Sequence, residues 1–352
     1  MSRELQALDD AVTKILADHC TPDRIAAAET SIDRELWRIL DKAGLLTVGV
    51  PERAGGSGGG LTEAMVLLRR AGEYAAPVPL AESGILGGWL LAAAGLRLPA
   101  GILTVGQGEV AAKRQGRAWQ LSGTLRRVAY ARHADAVAGI ARSPDGPCAF
   151  AVPVKEVAIA PGENLAREPR DTVTFDVTVP PERAAPVDAA AADELVSRGA
   201  LARALMVAGA VRRVLALTSE YASVRRQFGR PIASFQAVQQ HVATLACEAA
   251  ASHAAAEAAV RACEAGFGRP AARHAIAAAK VRTAQAAGLA SALAHQVHGA
   301  IGMTQEHALQ VTTTRLWAWR DEWGSEHLWA EELARSALGG TSDLWPTIAD
   351  QG

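Results

Sequence analysis

The chain reads as an α+β protein in which a small β-domain separates two helical regions, and three observations predict it. Apolar residues recur three to four apart through most of the first 95 residues and again from about 190 to 340. Between roughly 100 and 186 that rhythm gives way to the runs AWQLSGTLRRVAYA, ADAVAGIA, CAFAVPV and TVTFDVTVP, separated by SPDGP, PGEN and PPER turns. Hydrophobic content of 49% with only 5% aromatic residues reflects abundant alanine, which suits closely packed helices.

The N-terminal helical domain is expected over 1–98, where Leu36, Ile39, Leu40 and Leu45 mark one apolar face. VPERAGGSGGG at 50–60 interrupts it. That stretch lacks the GxxxxGK[ST] order and the flanking strand of a phosphate loop, so it reads as a helix–helix connection. The central β-domain, 99–188, is long enough for a small antiparallel barrel and little else. The C-terminal domain, 189–352, carries long helical patterns joined by short Gly/Pro breaks, the signature of a four-helix bundle.

Composition narrows the function. Lys+Arg 36 against Asp+Glu 37 leaves a net charge of −1, which argues against nucleic acid or an anionic membrane as partner. Cys20, Cys148, Cys247 and Cys263 show neither CxxC spacing nor the density of a disulfide scaffold, and the charged MSRELQALDDAVTK start lacks a signal-peptide core, so a cytoplasmic protein is expected. No apolar run is long and uncharged enough to span a bilayer. His295 and His298 lie three apart without a carboxylate or cysteine at ligand spacing, so no metal site is expected. No GxSxG elbow points to a hydrolase.

One segment, YASVRRQFGRPIASFQAVQQHVATLA at 221–246, asks for more than packing. Arg225 and Arg226 close a helix, Gly229 and Pro231 make a turn, and a helix expected over 232–250 restarts with Gln236 and Gln240 four apart on one face. An exposed Phe228 beside arginines suits a planar ring and a pyrophosphate. An arginine-capped helix corner explains the same spacing, and spacing alone leaves both readings open.

The same segment resembles the RxxFGxxIxxFQxxQxxLA signature of the acyl-CoA dehydrogenase family. The resemblance runs across nearly the whole chain: LLTVGVPERAGGSGGG is similar to that family's LGLLGVxVPExxGG, LSGTLRRVAYARHAD to its LxGxKxxVTxAxxAD strands, and HQVHGAIGM to QxxGGxGY. It implies a homodimer or homotetramer, or a heterotetramer with a homologous subunit, and FAD bound across a subunit interface. Carried over residue by residue, Arg225, Phe228 and Gln236 would contact the dinucleotide, while Gln296, Gly299 and Ala300 would come from the neighbouring subunit and Ser325 would lie near the flavin. The implied substrate is an acyl-CoA, desaturated between its α and β carbons, with electron-transfer flavoprotein as electron acceptor.

That reaction needs a carboxylate to take the α-proton. Where the family writes YEGTSxIQ this chain has DEWGSEHLW, which puts Trp323 at the base position; Glu322 falls one residue early and Glu326 three late. The family's alternative base position lies near Gly199, with Glu194 the nearest upstream carboxylate. The TExxxGSD segment has no counterpart, and WxTN reads RVAY, with Arg127 and Ala129 at the matching places. Two explanations follow: the base sits on a partner subunit of a heteromeric dehydrogenase, or Glu322, failing that Asp321, acts as a relocated base. A scaffold subunit that completes a partner's FAD site, and a flavin oxidase on the same fold, are the contrasting readings. Trp317, Trp319, Trp323 and Trp329 form the main aromatic concentration; Trp319 and Trp323, four apart on an expected helix, would line a wide pocket or pack an interface. Arg212 and Arg213 read as the solvated side of an apolar helix, with contact to a CoA phosphate as the alternative.

Overall fold

The computed structural model describes residues 2–304 and 307–338, and the order helical, sheet, helical holds. Five helices come first: α1 (Arg3–His19), α2 (Pro22–Ala27), α3 (Arg34–Lys42), α4 (Leu61–Glu73) and α5 (Gly87–Ala93). The starts of the first three are written in the sequence. The Ser2 and Thr21 hydroxyls and the Asp33 carboxylate accept first-turn N–H groups, and Pro22 opens α2 where its missing N–H costs nothing. The amphipathic face of α3 buries Leu36, Trp37 and Leu40.

Eight strands follow: β1 (Leu103–Val105), β2 (Gln107–Gln115), β3 (Ala118–Ala129), β4 (Ala136–Ser143), β5 (Gly146–Pro153), β6 (Ala158–Ala160), β7 (Arg170–Val179) and β8 (Ala184–Pro186). They form one sheet in the order β6-β7-β3-β2-β4-β5-β8, with β1 beside β4. The sheet is mixed, which corrects the expected antiparallel arrangement: β4 runs parallel to β1 from Leu103↔Ala136 and to β2 at Ala111↔Arg142. β3 returns antiparallel along β2, and β4 then returns beside β1 and β2, so they share its direction. Trp119, Leu121, Leu125, Phe150, Val173 and Phe175 fill one face, Phe150 meeting Phe175 edge-on with centroids 5.2 Å apart. The β3–β7 register slips between Leu125 and Val128, where Arg127 takes a left-handed φ of 53°.

The helical remainder consists of α6 (Ala191–Val224), α7 (Gln236–Glu264), α8 (Pro270–His298), α9 (Leu309–Trp319) and α10 (Glu326–Leu338), with a two-stranded hairpin, β9 (Arg226–Gln227) and β10 (Arg230–Pro231), between α6 and α7. Small residues let these helices approach closely; α8 alone buries Ala272, Ala277, Ala279, Ala284, Ala287 and Ala290. The chain divides into two compact units, one comprising residues up to Leu68 with Ala76–Arg198, the other Arg69–Ala75 with everything from Gly199 onward.

Candidate functional site: an open hairpin and a locked turn

The signature segment folds as a hairpin rather than a simple helix corner. α6 stops at Val224, Gln227 pairs with Arg230 and Arg226 with Pro231, and Phe228 and Gly229 form the tip with φ of 52° and 80°. Two successive positive φ values are what a tight hairpin needs, and glycine meets the second at no steric cost. The expected restart at 232 is corrected by four residues: a 3₁₀ turn spans Ile232–Ser234 and α7 begins at Gln236. Pro231 and the β-region φ/ψ of Phe235 delay helical geometry.

The hairpin presents its chemistry outward. Phe228 is 91% exposed, its ring meeting that of Phe235 edge-to-face with centroids 6.0 Å apart, while the Arg230 guanidinium lies 4.3 Å over the Phe235 ring. Arg225 and Gln236 are exposed. No side chain caps the first turn of α7 and no acid lies in it, so its first N–H groups are available to an anion.

The second expected contact segment ends α8. Gln296, Gly299 and Ala300 are all exposed, and Gly299 ends the helix with φ 65° while its N–H bonds the His295 carbonyl. The histidines beside them are turned inward. His298 stacks on Tyr221 at 4.4 Å and donates from Nδ1 to the Ala294 carbonyl; His295 bonds the Thr313 hydroxyl through Nε2 and stacks on Trp317 at 5.8 Å. Burial lowers the pKa of both imidazoles. Among the described residues no group of three or more metal ligands forms.

The segment expected to carry the base is a turn between α9 and α10. Sequence periodicity placed Trp319 and Trp323 on one helix, and this is corrected: α9 ends at Trp319, and Trp323 sits in the turn with a left-handed φ of 58°. Ser325, expected near the flavin, caps α10 by accepting the Leu328 N–H at 3.4 Å. Glu322 points to a buried arginine: Arg203 Nε donates to Glu322 Oε2 at 2.6 Å, with the Arg203 side chain 3% exposed. Asp321 is exposed, 3.7 Å from Arg320.

Further contacts hold the turn. The Lys280 ammonium, on a residue 1% exposed, donates to the Arg320 carbonyl at 2.6 Å and to that of Trp319 at 3.4 Å, satisfying two carbonyls that the end of α9 leaves open. Burial pushes the Lys280 pKa down to about 7; Glu322 raises it and Arg203 lowers it further. The Trp329 indole N–H donates to the Trp323 carbonyl at 3.0 Å. The Trp323 ring lies directly on Gly199, where any Cβ would collide with the indole. The two positions at which the resemblance looks for a base are thus packed against each other. Sequence reasoning missed Arg203 and Lys280. Their signal was sparse charge inside apolar or alanine-rich runs, Arg203 alone in ALARALMVAGAV and Lys280 with Arg282 in AIAAAKVRTAQAAG.

Comparison with known proteins settles the family. The acyl-CoA dehydrogenase N-terminal domain matches residues 2–96 and the acyl-CoA dehydrogenase C-terminal domain matches residues 190–348. Acyl-CoA dehydrogenase FadE27 of Mycobacterium tuberculosis is 34% identical over 265 residues, covering 68% of this chain and 70% of that protein. The chain belongs to the acyl-CoA dehydrogenase family. Membership supports reading it as a FAD-dependent acyl-CoA dehydrogenase, and the mixed sheet falls between the two matched domains. Among solved structures, the ChsE4-ChsE5 complex from Mycobacterium tuberculosis superposes with a TM-score of 0.88 at 27% identity, covering 97% of this chain and 99% of that one. The Tcur3481-Tcur3483 steroid ACAD superposes with a TM-score of 0.84 at 29% identity, covering 97% and 99%. No helix among the described residues is long and apolar enough to cross a membrane.

Proposed function

We propose that this chain is a FAD-binding subunit of a cytoplasmic acyl-CoA dehydrogenase that desaturates a bulky acyl-CoA thioester, such as one with a steroid side chain, between its α and β carbons. The proton-abstracting carboxylate comes from a homologous partner subunit. One observation carries this reading: Glu322 is bound to buried Arg203 at 2.6 Å, and the neighbouring Trp323 rests on Gly199. Taking a proton from so weak an acid requires a carboxylate that burial makes more basic. A guanidinium in contact already supplies the positive charge that the proton would bring.

The residues of the hairpin fit FAD. The exposed guanidinium of Arg225, the uncapped start of α7 and the exposed Phe228 ring offer a cation, N–H donors and a flat apolar surface to a pyrophosphate-linked dinucleotide. Gln236, at the first position of α7, adds a side-chain amide. Gln296, Gly299 and Ala300 would reach the dinucleotide of a neighbouring subunit, with Ala300 in place of a second glycine making main-chain approach slightly looser. Ser325, tied to the start of α10, would hold its segment near the flavin. The bound flavin supplies the acceptor for the β-hydride, and electron-transfer flavoprotein is the proposed next acceptor.

Heteromeric assembly is supported by similarity to a two-component complex and to a protein named as a steroid enzyme. Replacing Glu322 by Gln keeps a hydrogen-bond acceptor for Arg203 and removes the carboxylate. Turnover of the assembled enzyme should then stay within about twofold, whereas a loss beyond about 100-fold places the base at Glu322 in a homomeric enzyme.

A further inference from the structure

We propose that Trp323 is a specificity-determining stopper that shuts this chain's own acyl seat, and that Arg203, Glu322 and Lys280 are positioning residues that hold it there. The inference rests on the subunit reading above. A turn that only had to join α9 to α10 is best made with glycine wherever φ is positive, as at Gly324. This turn places tryptophan, the largest side chain, at φ 58°, and the residue facing it has no Cβ at all. For so bulky a side chain inside the protein the conformation is uncommon, and it persists here because the surroundings over-determine it.

The surroundings do so from several sides. Lys280 holds the carbonyls of Trp319 and Arg320 from α8, Arg203 on α6 holds Glu322, and Trp329 on α10 holds the carbonyl of Trp323 itself. The three come from different helices and converge on Trp319, Arg320, Glu322 and Trp323, and the indole lies against Gly199. By fixing the backbone of the turn, these contacts also fix where the indole lies, against Gly199.

The test uses the full chain supplied with FAD, titrated calorimetrically with octanoyl-CoA, with flavin uptake read from visible absorbance in the same samples. Trp323→Ala should bind octanoyl-CoA at least about tenfold more tightly than the natural chain, and Trp323→Phe, which keeps most of the bulk, should stay within about threefold of it. Gly199→Ala should expel the indole and raise acrylamide quenching of tryptophan fluorescence. Lys280→Met and Arg203→Lys should raise both affinity and quenching in the direction of Trp323→Ala; residues with a merely structural role would lower Tm without raising affinity.

Equal affinity in the natural chain and Trp323→Ala, at any level, overturns the stopper, as does unchanged quenching in Gly199→Ala. If all samples take up flavin and affinity is still unchanged, the stopper alone fails. If no sample takes up flavin, the FAD site needs the partner subunit to complete it, and the affinity comparison between the natural chain and Trp323→Ala still decides the stopper.

Discussion

Of the three aromatic residues with a left-handed φ among the described residues, Phe228 and Trp323 take that conformation with opposite results. Phe228, φ 52°, stands at a hairpin tip with its ring 91% exposed, whereas Trp323, φ 58°, is pressed on Gly199 in a turn held by an ion pair, a buried lysine and a second indole. The first spends its strain presenting a ring to solvent. The second spends it filling a space. In a family whose chemistry needs a cofactor surface and a free carboxylate, the contrast supports the proposal that this chain keeps flavin contacts while its partner supplies the base.

The contrast breaks most visibly at Arg203. Its replacement by Ala leaves Glu322 in a mostly buried setting without its partner and should cost about 3 kcal/mol in urea denaturation. Arg225→Ala should change stability by less than about 0.5 kcal/mol while weakening FAD uptake. Lys280 gives a test by pH. Its folded pKa of about 7 lies below the ordinary value of 10.5, so the unfolded chain holds a proton that the folded chain has released. Stability should therefore rise between about pH 7 and pH 10.5, with the cost of the buried charge greatest below 7. The slope reaches up to about 1.4 kcal/mol per pH unit, and Lys280→Met should remove it from a denaturation series across that range.

Smaller effects sharpen the picture. Trp329→Phe keeps an aromatic ring but removes the indole N–H and part of the buried bulk, and should cost at least about 1 kcal/mol by thermal denaturation while increasing hydrogen exchange in the turn. Phe228→Ala should move stability by less than about 0.5 kcal/mol and lower FAD affinity by up to about tenfold, measured by flavin fluorescence titration.

The layer order was legible because period and turn chemistry are local: AWQLSGTLRRVAYA is strand-like over its whole length, and Asp33 announces α3. The parallel placement of β2 beside β4 was not, since it depends on where β4 returns after β3, a non-local choice. The signature at 225–240 was readable, but its hairpin was hidden by the strong helical pattern on both sides. The turn at Trp323 was misread because WAWRDEWGSEHLWAEELA keeps a helical rhythm across the break; only Gly324 followed by the capping Ser325 marks it. The ion pair of Arg203 and Glu322 joins residues 119 apart, so no spacing rule finds it.

The most direct measurement is anaerobic visible absorbance of the flavin-loaded chain, alone and then mixed with a homologous subunit that carries the glutamate, on addition of acyl-CoA. The account predicts a yellow protein that no acyl-CoA bleaches until the second subunit is present. Bleaching of the chain alone, lost in Glu322→Gln, would contradict it.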